Sequence, residues 1–200
     1  MCGGFVCGAV RVRLPVADST TQSRVAMTAP NIEMFTDFIP DPQALFEGLQ
    51  QSVQWDERMR ARKTASFGAP YDYSQITYPA QPMPEELERL CSLIEQQLGF
   101  RPNNCLINYY PDGSSSMGFH SDAKEQMVEG TGVAIVSLGC ARPIVYRHKQ
   151  DRSLEFSYLL GSGSMLYMSV AVQTQWLHAI PKAPDAGERI SLSFRLLDSQ

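Results

Sequence analysis

Five residues in the second half of the chain carry chemistry by their type and spacing. They are His120 and Asp122 in His120-Ser121-Asp122, a distant His178, and the two ends of Arg189-Ile190-Ser191-Leu192-Ser193-Phe194-Arg195. Two imidazoles and one carboxylate form the facial ligand set that holds non-heme Fe(II) and leaves positions open for oxygen and a cosubstrate. The two arginines are able to hold a dianion.

In an extended strand residues i and i+2 point to the same side, so the reading puts His120 and Asp122 on a strand, facing one metal. In the last segment Arg189, Ser191, Ser193 and Arg195 fall on one face, and Ile190, Leu192 and Phe194 on the other. That alternation predicts a strand with one side in the core and the other forming a polar pocket wall. Upstream, Leu106-Ile107-Asn108-Tyr109-Tyr110 puts Asn108 and Tyr110 on a common face, just before the loop Pro111-Asp112-Gly113 that leads to His120. Hydrogen-bonding side chains are thereby expected to converge near the metal.

The elements that must position these groups are legible in outline. Ile32 to Phe38 reads as a strand. Asp41-Pro42 supplies an N-cap and a first-turn proline, with Leu45, Leu49 and Val53 at helical spacing. A second helix is expected from about Pro84 to Leu98, where Leu87, Leu90, Cys91, Ile94 and Leu98 line one face and Gly99 ends it. Met59 to Gly68 is arginine-rich and turn-bounded, and Ala69 to Ser74 reads as an aromatic loop. Short β-type runs then dominate: Gly132 to Leu138, Arg142 to His148, Leu154 to Leu160, Ser164 to Met168, Trp176 to Ile180 and Arg189 to Leu196. Two helices followed by many short strands predict an α+β, mainly β fold, a double-sheet jelly roll (double-stranded β-helix) with supporting N-terminal helices.

With 200 residues and a hydrophobic share of 44%, the chain fits one domain with a sizeable core. A net charge of -4 leaves no general basic field, so any nucleic-acid contact must be local and coating of a duplex is unexpected. The five cysteines Cys2, Cys7, Cys91, Cys105 and Cys140 are scattered and lack Cys-x-x-Cys spacing. Such a set suits reduced thiols in a cytoplasmic protein and argues against structural zinc. Residues 1–27 read as a loose tail and 28–200 as one domain, with Met27 an alternative start. No apolar stretch in that tail is long enough for a signal peptide or membrane span. The expected protein is a monomer.

Taken together, Asn108-x-Tyr110, His120-x-Asp122, His178 and Arg189-x5-Arg195 resemble the signature of the AlkB family of Fe(II)/2-oxoglutarate dioxygenases, over roughly residues 30 to 197. Cys105-Leu106-Ile107-Asn108, Val136-Ser137-Leu138-Gly139, Tyr146-Arg147-His148-Lys149 and Trp176-Leu177-His178 are similar to strands of that family. The resemblance implies that His120, Asp122 and His178 bind iron, and that Asn108, Tyr110, Arg189, Ser191 and Arg195 bind 2-oxoglutarate. Arg189 would hold the distal carboxylate and Arg195 the end near the iron. It implies oxidation of a methyl group on a base nitrogen by O2, with loss of formaldehyde, in repair of alkylated DNA or RNA.

Arg62 to Gly68 with Tyr71-x-Tyr73-Ser74 resembles the family's nucleotide-recognition lid, so Arg62, Tyr71, Tyr73 and Ser74 are expected to meet substrate. Lys124 stands where family members usually carry a base-reading acid, with Glu125 next to it. The short stretch from Trp55 to Met59 has no room for a base-wedging finger, which implies single-stranded substrates. A related hydroxylase acting on a small molecule, amino acid or protein is the alternative, favoured by Lys124 and the acidic balance. Bland readings stay open beside these. Tyr71 and Tyr73 could be rim packing, Arg58, Arg60, Arg62 and Lys63 a solvated edge, and His148 a solvated strand end. Cys105 and Cys140 read as small core residues.

Overall fold

In the computed structural model, residues 29–73 and 76–198 are described. The expected tail therefore lies outside the described residues, as does Ser74. In chain order the elements are β1 (Ile32–Phe35), α1 (Pro42–Ser52), β2 (Lys63–Gly68), β3 (Tyr71–Tyr73), β4 (Ile76–Tyr78) and α2 (Glu85–Leu98). There follow β5 (Asn104–Tyr110), β6 (Met117–His120), a 3-10 turn (Lys124–Gln126), β7 (Gly132–Gly139), β8 (Arg142–His148) and β9 (Glu155–Leu160). The chain closes with β10 (Met165–Ser169), α3 (Val170–Gln175), β11 (Trp176–Ile180) and β12 (Arg189–Arg195).

The helices form where the local signals ask for them. The Asp41 side chain accepts a hydrogen bond from the Ala44 amide at 3.1 Å, capping α1 ahead of Pro42. Gly99 closes α2 in the left-handed region at φ 79°, a conformation costly for a residue with a Cβ. Acidic Glu85, Glu86 and Glu88 occupy the first turn of α2, where the helix dipole favours negative charge.

Two antiparallel sheets stack. The larger has the order β1-β10-β7-β12-β5-β2 and the smaller β6-β11-β8-β9, while β3 and β4 form a separate hairpin. One apolar core lies between the larger sheet and the two N-terminal helices. It unites Leu49 of α1 and Leu87, Leu90, Cys91 and Ile94 of α2 with Val136, Ile190, Leu192 and Phe194. A second core fills the space between the sheets and unites Leu106, Tyr110, Val133 and Ile135 with Ile144, Tyr146, Trp176 and Ile180. Helix layer, large sheet and small sheet give the expected jelly roll with supporting helices. Gly139 shows how closely the layers approach: at φ 80°, an added Cβ would lie 2.9 Å from the Phe46 ring and 2.6 Å from the Glu188 carbonyl oxygen. Among the described residues no helix is long and apolar enough to cross a membrane.

Several boundaries differ from expectation. The first strand stops at Phe35, because Asp37 takes a positive φ of 55° that turns the chain toward α1. The arginine-rich segment ends in a full strand, β2, paired along its length with β5. The aromatic stretch is a hairpin, with Tyr71 opposite Tyr78. His120 is the last residue of β6, so Asp122 reaches the site from beyond the strand end and not from a shared strand face. Cys105 is fully buried, but Cys140 is only partly so, since it lies in the turn after β7.

Candidate active site

Antiparallel pairing sets the metal ligands. β6 and β11 are neighbours in the smaller sheet, and His120 lies opposite His178 in their register. Their rings come within 4.3 Å, centroid to centroid, on the inner face. Asp122 turns its carboxylate to the same point, with Oδ2 3.7 Å from His178 Nε2. One donor atom from each of the three lies within 4.8 Å of the others. The Gly118 carbonyl lies 3.0 Å from His120 Nδ1, so that nitrogen carries the proton and Nε2 is left for a metal.

The electrostatics match that use. Burial drives the His178 pKa down to about 3, His120 beside it adds to the effect, and Asp122 only partly opposes it, so the imidazole stays neutral. Burial works against the charge on Asp122, but Arg195, His178 and His120 together override it and hold the carboxyl well below its ordinary range. Arg195 Nη2 donates to Asp122 Oδ1 at 2.6 Å with both side chains buried. The site therefore presents one firm anion, a neutral His178 imidazole and the open Nε2 of His120.

β12 delivers the second cluster from its pocket-facing side, as the alternation requires. Arg189 and Arg195 are 0% and 2% exposed, and Ser191 and Ser193 lie between them. Arg189 Nε donates to Ser137 Oγ at 3.0 Å and its Nη2 to Ser191 Oγ at 3.4 Å, while its guanidinium lies 5.2 Å from the Tyr110 ring centroid. Its Nη1 has no hydrogen-bond partner, and no described acid forms an ion pair with it. A fully buried guanidinium with a donor to spare is what a ligand carboxylate needs. Beside the metal ligands and Arg195 lies a cavity, and Arg189 sits behind two of its walls, Tyr110 and Ser191. Leu106, Ile135, Ile144 and Ile180 give it apolar walls, and Asn108, Tyr110, Ser191 and Ser193 its polar points. The donor set thus fits iron, and the buried Arg189 with its spare donor fits a ligand carboxylate.

Of the residues expected on a substrate lid, Arg62 and Tyr71 are buried. Arg62 is 8% exposed and donates through Nε to Asn108 Oδ1 at 2.7 Å. It orients the Asn108 amide and is turned away from solvent phosphates. Tyr71 is 1% exposed, and the Arg195 guanidinium lies 4.7 Å above its ring, so a base would have to displace that cation to stack there. Tyr73 belongs to the β3 hairpin and Lys124 to the 3-10 turn; their side chains lie outside the described residues. Of the basic segment, Arg58 pairs with Asp56 and Lys63 with Glu57. His148 accepts from the Gln150 and Asp151 amides at the β8–β9 turn and packs edge-on to Trp176, so it caps a turn and is not part of the metal-ligand cluster.

Three contributors escaped the sequence reading. Ser137 faces Ser191 across the β7–β12 ladder and fixes Arg189. Arg142, 0% exposed, donates to the carbonyls of Asp112, Ser115 and Pro181. Gln173 contacts Asp122. Ser137 and Arg142 are lone polar residues in apolar runs, the signal that could have found them; Gln173, followed by Thr174 and Gln175, carries no such signal.

Comparison with known proteins agrees with this geometry. The profile of the 2OG-Fe(II) oxygenase superfamily matches residues 35–195. The DNA oxidative demethylase ALKBH2 of Bos taurus is 34% identical over 145 residues, covering 67% of this chain and 52% of that protein. The alpha-ketoglutarate-dependent dioxygenase alkB homolog 3 of Rattus norvegicus is 32% identical over 173 residues, covering 76% of this chain and 58% of its own length. The chain thus spans between half and three fifths of these two relatives. The structure of OsALKBH1 superposes with a TM-score of 0.62 at 16% identity, over 84% of this chain and 99% of that one, a likeness of fold. The family profile, the relatives and the convergence of His120, Asp122 and His178 beside Arg189 and Arg195 show that this chain belongs to the 2OG-Fe(II) oxygenase superfamily, among its AlkB members.

Proposed function

We propose that this chain is an Fe(II)- and 2-oxoglutarate-dependent dioxygenase that oxidatively demethylates N-alkylated bases in single-stranded nucleic acid. The observation that carries the reading is the meeting of three metal-ligand donors within 4.8 Å on the wall of a cavity shared with Asn108, Tyr110 and Arg195, with the buried Arg189 and its spare donor behind Tyr110 and Ser191. Iron with 2-oxoglutarate supplies the activation of O2, coupled to oxidative decarboxylation of the cosubstrate.

The chain's own residues do the rest. His120 and His178 offer ring nitrogens, and Asp122 supplies the balancing negative charge. Arg189, steadied by Ser137 and Ser191, holds the distal carboxylate with Tyr110 beside it. Asn108, oriented by Arg62, and Arg195 serve the end near the metal. Leu106, Ile135, Ile144 and Ile180 exclude water, which strengthens each of these polar contacts.

The names of the relatives support a nucleic-acid substrate: one is called a DNA oxidative demethylase. The linker between α1 and β2 runs only from Val53 to Arg62, too short for a wedge, which favours single strands. Lys124, in the position where relatives usually read a base with an acid, favours a second reading, hydroxylation of an anionic small molecule or peptide. Turnover with Fe(II), 2-oxoglutarate and methylated oligonucleotides separates the two. The expected result is formaldehyde release and stimulated 2-oxoglutarate consumption with single strands, less with duplex. If single strands neither bind nor stimulate while a small anion does, the demethylase reading fails.

A further inference from the structure

The three metal ligands come from two chain segments, His120 to Asp122 and β11. α3 lies directly before β11 and ends three residues short of His178. Its one buried polar side chain, Gln173, is 2% exposed, and its amide meets Asp122 twice. Gln173 Nε2 donates to Asp122 Oδ2 at 2.8 Å, and Gln173 Oε1 accepts from the Asp122 backbone amide at 3.2 Å. The network fixes the orientation of this amide, because the flipped form would set a carbonyl oxygen against a carboxylate. The remaining Nε2 hydrogen meets Met168 Sδ at 3.3 Å. A second tie runs between the same two segments: Lys149 Nζ donates to the Gln173 backbone oxygen at 2.7 Å and to Ser121 Oγ at 3.2 Å.

These contacts divide the Asp122 carboxylate. Arg195 occupies Oδ1, whereas Oδ2 receives Gln173 and is the oxygen that faces His178. Arg195 alone would let the carboxylate swing about a single contact; the Gln173 amide adds a second point and fixes its plane. Because the same amide also holds the backbone of Asp122, it sets the separation of the two ligand-bearing segments.

We infer that Gln173 is a positioning residue for the metal site: α3 clamps Asp122 through it so that Oδ2 alone is presented to the metal, and Lys149 steadies the clamp. The inference rests on the metal reading above. Outer partners of metal ligands typically contribute about 10–100-fold in affinity.

The test is calorimetric titration of the full chain with Mn(II), without cosubstrate, on wild type, Gln173→Met, Lys149→Met and His178→Ala, with thermal unfolding of each metal-free protein alongside. Gln173→Met keeps the side-chain length but loses both amide contacts. Its Mn(II) affinity is expected to fall about tenfold or more, and that of Lys149→Met about threefold, while unfolding of metal-free Lys149→Met stays at the wild-type temperature. A Co(II)-loaded sample should also show an altered visible spectrum in Gln173→Met, which a merely structural plug would not produce. Wild-type affinity in Gln173→Met, with His178→Ala unable to bind, overturns the clamp and leaves the metal site standing. Wild-type affinity in His178→Ala overturns both. Should Gln173→Met fail to fold, wild-type affinity in Lys149→Met overturns the clamp on its own.

Discussion

Replacing Arg189 with Met should move two properties in opposite directions. The guanidinium is 0% exposed, burial and then the nearby Arg142 cation lower its pKa, and its contacts are neutral: the Ser137 and Ser191 hydroxyls and Tyr110. In the ligand-free protein its charge is desolvated without an acid to balance it. Removing it relieves a cost of several kcal/mol but strands two hydroxyls at about 1 kcal/mol or more each, so a net gain of about 1 kcal/mol is expected. For a domain of this size that raises the unfolding temperature by about 2–4 °C. In the presence of 2-oxoglutarate the balance reverses. A buried carboxylate left without its cation costs about 2–5 kcal/mol, hence a dissociation constant higher by about 30-fold to several thousand-fold. The assay is calorimetric titration of 2-oxoglutarate into Mn(II)-loaded protein, with thermal unfolding at several ligand concentrations. Wild type should gain about 2.7 kcal/mol at a hundredfold excess over its dissociation constant, and Arg189→Met almost none. Arg147→Met, which breaks the partly exposed pair with Glu155 and the stacking on Phe119, both outside the cavity lining, is the control. Cosubstrate affinity within threefold of wild type would refute the anchor. A ligand-free Arg189→Met protein that melts well below wild type would show the guanidinium to be a structural tie instead.

Tyr71→Leu should depress substrate-uncoupled 2-oxoglutarate turnover severalfold as well as oligonucleotide demethylation, since its ring supports Arg195; loss of demethylation alone, by formaldehyde assay, would contradict this. Arg62→Met should raise the KM for 2-oxoglutarate about tenfold by freeing the Asn108 amide, with oligonucleotide affinity unchanged in a gel-shift assay. Metal-free protein should lose stability as pH falls. His178 has a folded pKa of about 3 against an ordinary 6.5, so the unfolded chain binds a proton that the fold refuses, and stability is full above 6.5 and erodes toward 3. By pH 5 the loss is about 2 kcal/mol, readable from urea midpoints at pH 7.5 and 5. Asp122, also depressed, adds to the loss below 3.8.

β12 was legible because it is a strand with one apolar and one functional face, and period two alone separates Ile190, Leu192 and Phe194 from the arginines. β2 was not, because its inward residues are polar. Thr64 and Ser66 are 0% and 2% exposed and satisfied by Tyr78 and Asn104, so no hydrophobic alternation marks the strand. The burial of Tyr71 was hidden for a related reason. An aromatic among Pro, Asp and Ser reads as rim, whereas the Arg195 cation, brought from the far end of the chain, and the core between the sheets surround Tyr71. The metal ligands could be named but not their geometry, since Asp122 is set by Gln173 and Arg195 and not by strand periodicity.

Arg142 has a consequence for how the mouth of the site moves. One guanidinium holds the Ser115 and Pro181 carbonyls, with that of Asp112 at 3.4 Å, while the Ala183 amide donates to the Gly113 carbonyl at 2.8 Å. The fit at Gly113 is tight enough that a Cβ there would lie 1.7 Å from the Ala183 carbonyl oxygen. The segments 112–116 and 181–183 therefore cannot fray one at a time. They form a single cooperative unit whose amides should exchange with deuterium at a common rate, and breathing of the entrance is an all-or-none event. Lysine cannot substitute, because a single ammonium on a flexible stem does not reproduce the planar fork that spans three carbonyls.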